Sequence, residues 1–115
     1  MHALALVDGK ILIDAPPTLL PQLRRMGVSP SQLEHVLFTH WHGDHTFGFP
    51  FLLLDRKYIS DPSGKNNLKV HLRPGGKEYL SVLCQMGFPG SLGDTFDSRI
   101  DWNEEEVANL SGTGW

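Results

Sequence analysis

The chain has 115 residues, room for one small domain or part of a larger one. With 40% hydrophobic and 20% charged residues it can bury a core, which excludes general disorder. A formal net charge of −3 gives no overall basic surface for tracking a nucleic-acid backbone. The single cysteine, Cys84, excludes an intrachain disulfide and any zinc site built from cysteines.

Along the chain, "MHALALVDGK" lacks the basic start of a secretory signal, and no apolar run approaches the roughly 20 residues that span a bilayer. A cytoplasmic protein without membrane contact is the expectation. "ALALVDGKILIDAP" reads as a β-hairpin, because Asp8-Gly9 suits a two-residue turn with positive φ at both positions. The second strand should end at Asp14, where Pro16-Pro17 follows. "TLLPQLRRMG" predicts an amphipathic helix capped by Thr18 and closed by Gly27, with Leu19, Leu20, Leu23 and Met26 facing the core. Ser29, Pro30 and Gln32 form a capping box for one short turn.

Val36, Leu37 and Phe38 then make the continuous apolar run of a strand buried on both faces. Past its C-terminal end stands "THWHGDH", in the position where open α/β sheets carry their chemistry. A helix is expected from about Phe51, then a breaker-rich loop, "SDPSGKNN". "LKVHLRPGGKEYLSVLCQMG" predicts a strand, a turn and a helix with Tyr79, Leu80, Leu83 and Met86 inward, so Cys84 reads as a small packed residue rather than a nucleophile. From Phe88 to the end the chain is weakly patterned, with a short strand possible between Phe96 and Trp102. Mixed α/β layers follow from this order.

The crowded motif invites a metal. A lone histidine is usually a cap or a packed ring, but three with an interposed aspartate after a buried strand are not explained by packing. In extended backbone, His40, His42 and Asp44 would project to one side, and Gly43 would let the chain turn so that His45 addresses a second point. Two imidazoles for one cation, and a carboxylate with an imidazole for another, suit neighbouring divalent ions: zinc, with iron or manganese as alternatives. Such a pair can share a hydroxide and clamp a reacting centre.

His40-Trp41-His42-Gly43-Asp44-His45 resembles the HxHxDH signature of the metallo-β-lactamase superfamily. "ILID" ending at Asp14, the Gly48-Phe49-Pro50 step into a leucine-rich helix, and "VHLRPGGKEYL" resemble its ribonuclease-Z-like branch, over about residues 3–85. In the last of these, Leu72-Arg73 replaces the usual Gly-Pro. The resemblance implies the N-terminal half of an αββα sandwich, a mixed sheet with flanking helices, in a partial domain over residues 1–115 with a weakly patterned tail at 88–115. It implies that His40 and His42 bind one Zn2+, and that Asp44 and His45 bind a second, Asp44 lying near the attacking water. Asp14 would orient an imidazole through its second nitrogen.

The family completes its sites with a histidine, a bridging aspartate and a final histidine from later segments. Here the one later histidine, His71, sits within a predicted strand. Asp94, Asp97 and Asp101 match no family pattern, and Glu104-Glu105-Glu106 reads as a solvated face. Two readings therefore stand. In one, the chain is part of a metallo-hydrolase whose metal-bound hydroxide attacks an ester or phosphodiester, in a small molecule or in nucleic acid. In the other, it is a truncated half-domain that binds metal and turns nothing over. A half-sandwich would also leave an apolar face that a homodimer could cover.

Overall fold

The computed structural model describes residues 4–39, 43–88, 90 and 92–104, without the side chains of Asp44, Asp94, Phe96 and Asp97. Strands β1 (Ala5–Val7) and β2 (Ile11–Ile13) form the expected hairpin, with Ala5 opposite Ile13 and Val7 opposite Ile11. Lys10 N–H donates to Val7 O at 3.1 Å, and φ is 55° at Asp8 and 69° at Gly9. This is the double positive-φ turn whose twist matches the flanking strands.

Helix α1 (Leu19–Met26) ends on Gly27 in the left-handed conformation. Leu19 and Leu23 are buried, but Leu20 is only half-buried and Met26 is 47% exposed, so the inward stripe is narrower than expected. Thr18 makes no side-chain cap; its hydroxyl accepts instead from Gln22 Nε2 at 2.6 Å. The Ser29–Gln32 capping box forms on a 3₁₀ turn, Pro30–Gln32, and leads into β3 (His35–Leu37).

Beyond β3 come a single helical turn, α2 (Gly43–Thr46), and then α3 (Phe49–Asp55), which runs on into a π-helical turn at Arg56–Ser60. The buried Arg56 guanidinium donates to Pro30 O at 2.7 Å, to Leu33 O at 3.2 Å and to Asn66 O, tying this turn to both the 3₁₀ segment and the loop before β4. Its burial lowers the guanidinium pKa, and Asp61 acts against that shift. In that loop, the Asp61 carboxylate accepts the N–H groups of Lys65 and Asn66, both at 3.0 Å. Strand β4 (Leu68–His71) and helix α4 (Gly76–Gly87) follow, then α5 (Gly93–Ser98) and β5 (Ile100–Asn103). Residues expected at most to hold one strand thus form a helix and a strand.

The result is a mixed α/β architecture around one sheet of order β1-β2-β3-β4-β5, antiparallel at β1–β2 and parallel elsewhere. Parallel neighbours need crossover connections, and α1, α3 and α4 pack their apolar residues against one face of the sheet. The register agrees with this. Leu12, Val36, Val70 and Trp102 align across the sheet and join one apolar cluster with Leu19, Leu23, Phe49, Leu52, Leu53, Leu80 and Cys84. Phe49 lies at its centre, fully buried and edge-on to Phe38 and Trp102 at 5.5 and 6.3 Å.

The opposite face carries the rows Ile11-His35-Lys69-Asp101 and Ile13-Leu37-His71-Asn103. It is mixed rather than uniformly apolar: Ile13 and Leu37 are half-buried, while His35 and His71 are buried. Among the described residues the large exposed hydrophobics lie on the helical side instead, and Phe47, Phe51, Ile59 and Met86 are among them. Met86, expected inward, is 80% exposed, because α4 buries the stripe Gly76, Leu80 and Cys84. A Cβ at Gly76 would lie 2.3 Å from Leu72 Cδ1, so the buried stripe begins in close approach to Leu72. No helix among the described residues is long and apolar enough to cross a membrane.

Candidate metal centre

The parallel pair β2–β3 delivers Asp14 and Thr39 side by side at the C-terminal end of the sheet. Asp14 N–H donates to Leu37 O at 2.8 Å, which extends the pairing one residue beyond β2. Its φ of 65° then turns the chain, a left-handed conformation that aspartate tolerates better than most residues. Asp14 is 6% exposed. Its carboxylate is fully engaged: Oδ1 accepts Thr39 N–H at 2.8 Å, while Oδ2 accepts the Thr39 hydroxyl at 2.6 Å and lies 3.0 Å from His45 Nδ1.

The main chain repeats the connection. Ala15 N–H donates to His45 O at 2.7 Å, and Gly48 N–H donates to Ala15 O at 2.8 Å. Gly48 permits this approach, since a Cβ there would fall 2.0 Å from Pro16 O. The segment Asp14–Pro16 therefore grips the motif on both sides, at Thr39 before it and at His45 and Gly48 after it. Thr46 adds a hydroxyl contact of 3.4 Å to Tyr79 on α4.

A carboxylate only accepts hydrogen bonds, so His45 presents Nδ1 to it as N–H. This is the pattern of a metal-binding imidazole, whose other ring nitrogen donates to a carboxylate that sets its tautomer. Of the motif's candidate ligands, the side chain of His45 is the one described, and its held ring is compatible with binding a divalent ion. Asp44 and His45 belong to a helical turn, so the extended backbone expected to carry Asp44 does not hold there; Gly43, expected at a turn before His45, begins the helix. His40, Trp41 and His42 lie outside the described residues, as does the Asp44 side chain. Among the described residues no three His, Cys, Asp or Glu side chains form a cation-binding group.

The later residues go elsewhere. His71 stacks on His35 across β4 and β3, with ring centroids 5.2 Å apart and Nε2 2.9 Å from His35 Nδ1. Asn103 Nδ2 donates to His71 Nδ1 at 3.1 Å, so both His71 nitrogens are used within the sheet. Burial, then His35 and Lys69, lowers the His71 pKa below its ordinary 6.5. Asp101 is exposed on β5, and Glu104 accepts Gly75 N–H at 2.7 Å at the start of α4 instead of standing only in solvent. The Asp94 and Asp97 side chains, with Glu105 and Glu106, are outside the described residues. Burial raises the Cys84 thiol to about 12, which leaves it a packed, unreactive group. Thr39 escaped the sequence reading; its signal was a hydroxyl residue immediately before the first motif histidine.

The chain is similar to several known proteins. The family described as anti-Pycsar protein Apyc1 matches residues 3–80. Ribonuclease Z of Listeria monocytogenes is 36% identical over 95 residues, 83% of this chain and 28% of the relative. Ribonuclease Z of Nanoarchaeum equitans is 28% identical over 107 residues, 89% of this chain and 33% of the relative. The chain therefore spans about a third of the length of the curated relatives it matches.

Among solved structures, the short form of human tRNase Z superposes with a TM-score of 0.59 at 22% identity, over 73% of this chain and 32% of that one. Zinc-bound PqqB from Methylobacterium extorquens does so with a TM-score of 0.57 at 15% identity, over 92% and 36%. The fold and the motif's setting define a metallo-β-lactamase-superfamily chain of the ribonuclease-Z-like branch, and within it the chain belongs to the anti-Pycsar protein Apyc1 family.

Proposed function

We propose that this chain carries the first metal-binding segment of a metal-dependent hydrolase acting on phosphodiester bonds. The observation that carries the reading is the Asp14–His45 contact, which fixes His45 in the tautomer a cation requires. Similarity to ribonuclease Z supports the phosphodiester, in nucleic acid or in a smaller ester. His40 and His42 would hold one zinc, and Asp44 and His45 a second, with manganese or iron as alternatives of similar coordination. Bound zinc supplies Lewis-acid activation of water and of the scissile group. The chain's own contribution is positional. Asp14 holds the His45 ring, Ala15 and Gly48 hold the turn that bears Asp44, and Asp44 would orient the water. A homodimer covering the sheet face with Ile13 and Leu37 is the accompanying assembly reading, and sedimentation should show a dimer; a monomer refutes it.

The competing reading is a half-domain that binds metal without turnover, and the chain's span of about a third of its relatives favours testing it directly. Calorimetric zinc titration should show binding that His42→Ala weakens by the loss of one site. Hydrolysis of bis(p-nitrophenyl) phosphate and of RNA above buffer, also lost in His42→Ala, supports the hydrolase. Binding without turnover selects the half-domain, and absence of zinc binding removes both readings.

A further inference from the structure

We propose that Thr39 is a positioning residue for the metal centre, fixing the tautomer of His45 by locking the Asp14 carboxylate. The inference rests on the reading of the motif as a metal site. Asp14 has its main chain held on both sides, by its own N–H to Leu37 O and by Ala15 N–H to His45 O. The freedom that remains is rotation of the carboxylate, a broad, two-fold torsion with little intrinsic preference.

Thr39 removes that freedom by meeting both oxygens at once, N–H on Oδ1 at 2.8 Å and hydroxyl on Oδ2 at 2.6 Å. With the plane fixed, Oδ2 stands 3.0 Å from His45 Nδ1 as an acceptor. The backbone N–H comes with any residue at position 39. The hydroxyl comes only with threonine or serine, so the second pin is a property of the side chain. Without it the carboxylate pivots about Oδ1, the Nδ1–H loses its aligned acceptor, and the proton is released to redistribute to Nε2, the nitrogen that must carry the lone pair for a cation.

Thr39→Val is nearly isosteric and deletes the hydroxyl; Thr39→Ser keeps the hydroxyl and deletes the methyl. Long-range 15N–1H correlation spectra of the zinc-free chain report the ring tautomer, with His45 assigned as the signal missing from His45→Gln. The wild type and T39S should show the Nδ1–H form, and T39V a mixture with Nε2–H. Zinc affinity should fall about 10–100-fold in T39V, as outer-shell losses typically do, and be retained in T39S. A T39V chain with wild-type tautomer and affinity overturns the proposal. T39S decides independently should T39V not fold, since loss of the Nδ1–H form in T39S also overturns it. Should the wild type bind no zinc, the metal reading falls while the tautomer spectra still decide the role of Thr39.

Discussion

Replacing Gly48 by alanine tests the grip of the Asp14–Pro16 segment on the motif. The added methyl would sit 2.0 Å from Pro16 O, 2.9 Å from Pro16 C and 3.0 Å from Ala15 O, all backbone atoms that no rotamer change can move. Relief requires α3 to withdraw from the turn, which strains or breaks the 2.8 Å Gly48 N–H to Ala15 O bond. Overpacking of this kind costs about 1–3 kcal/mol and the lost bond about 1 more, so G48A should lose about 2–4 kcal/mol. For a chain of this size that is a fall in melting temperature of roughly 10–20 °C.

Gly87→Ala is the matched control. Gly87 lies at the end of α4, and nothing stands within 4 Å of a Cβ there. Helix propensity alone should make G87A neutral or more stable by up to about 1 kcal/mol. Urea denaturation followed by circular dichroism measures both. A G48A variant within about 0.5 kcal/mol of wild type would refute the close-approach reasoning, because surface substitutions commonly fall in that range.

His71, held neutral in the sheet, has a folded pKa below its unfolded one, so its contribution is complete above about pH 6.5 and is lost as pH falls and the unfolded chain takes up the proton. Urea midpoints at about pH 5 and about pH 7.5 should differ in that direction, and the difference should shrink in His71→Gln; an unchanged difference contradicts the assignment. Arg56→Met removes the donors to Pro30, Leu33 and Asn66 carbonyls and should cost about 2–5 kcal/mol, with Arg56→Lys recovering only part because an ammonium cannot reach in the planar fork of a guanidinium. Equal stability of the lysine variant and wild type would show that charge alone, not the fork, is required.

Local chemistry made much of this fold legible. Asp8-Gly9, Gly27 and the Ser29–Gln32 box each fix backbone geometry by what neighbouring atoms can do, and each took its expected form. The apolar run at Val36 correctly marked the interior strand. Expectations failed where a distant neighbour decided. Met26 and Met86 fit a helical period yet are exposed, because a period gives a stripe and only the partner surface says where the stripe ends. In α4 the buried stripe is Gly76, Leu80 and Cys84, with Gly76 close against Leu72. The local pattern gives Asp44 an extended backbone, whereas a helical turn forms there beside the contacts of Ala15 with His45 and of Gly48 with Ala15. The pairing of Thr39 with Asp14, and the clamp of Arg56 on three carbonyls, join residues far apart in sequence and carry no local signature.

The Asp14 contacts span 25 residues to Thr39 and 31 to His45. Both contacts close over α1 and the pairing of β2 with β3, so these elements must be in place before the imidazole is oriented. Ligand geometry is therefore a late product of folding and an early casualty of local opening. Loosening α1, which precedes the motif in the chain, would lower metal affinity through the fraction of molecules in which Asp14 is in place. The chain's affinity for a cation would then serve as a gauge of how completely its central strands have paired.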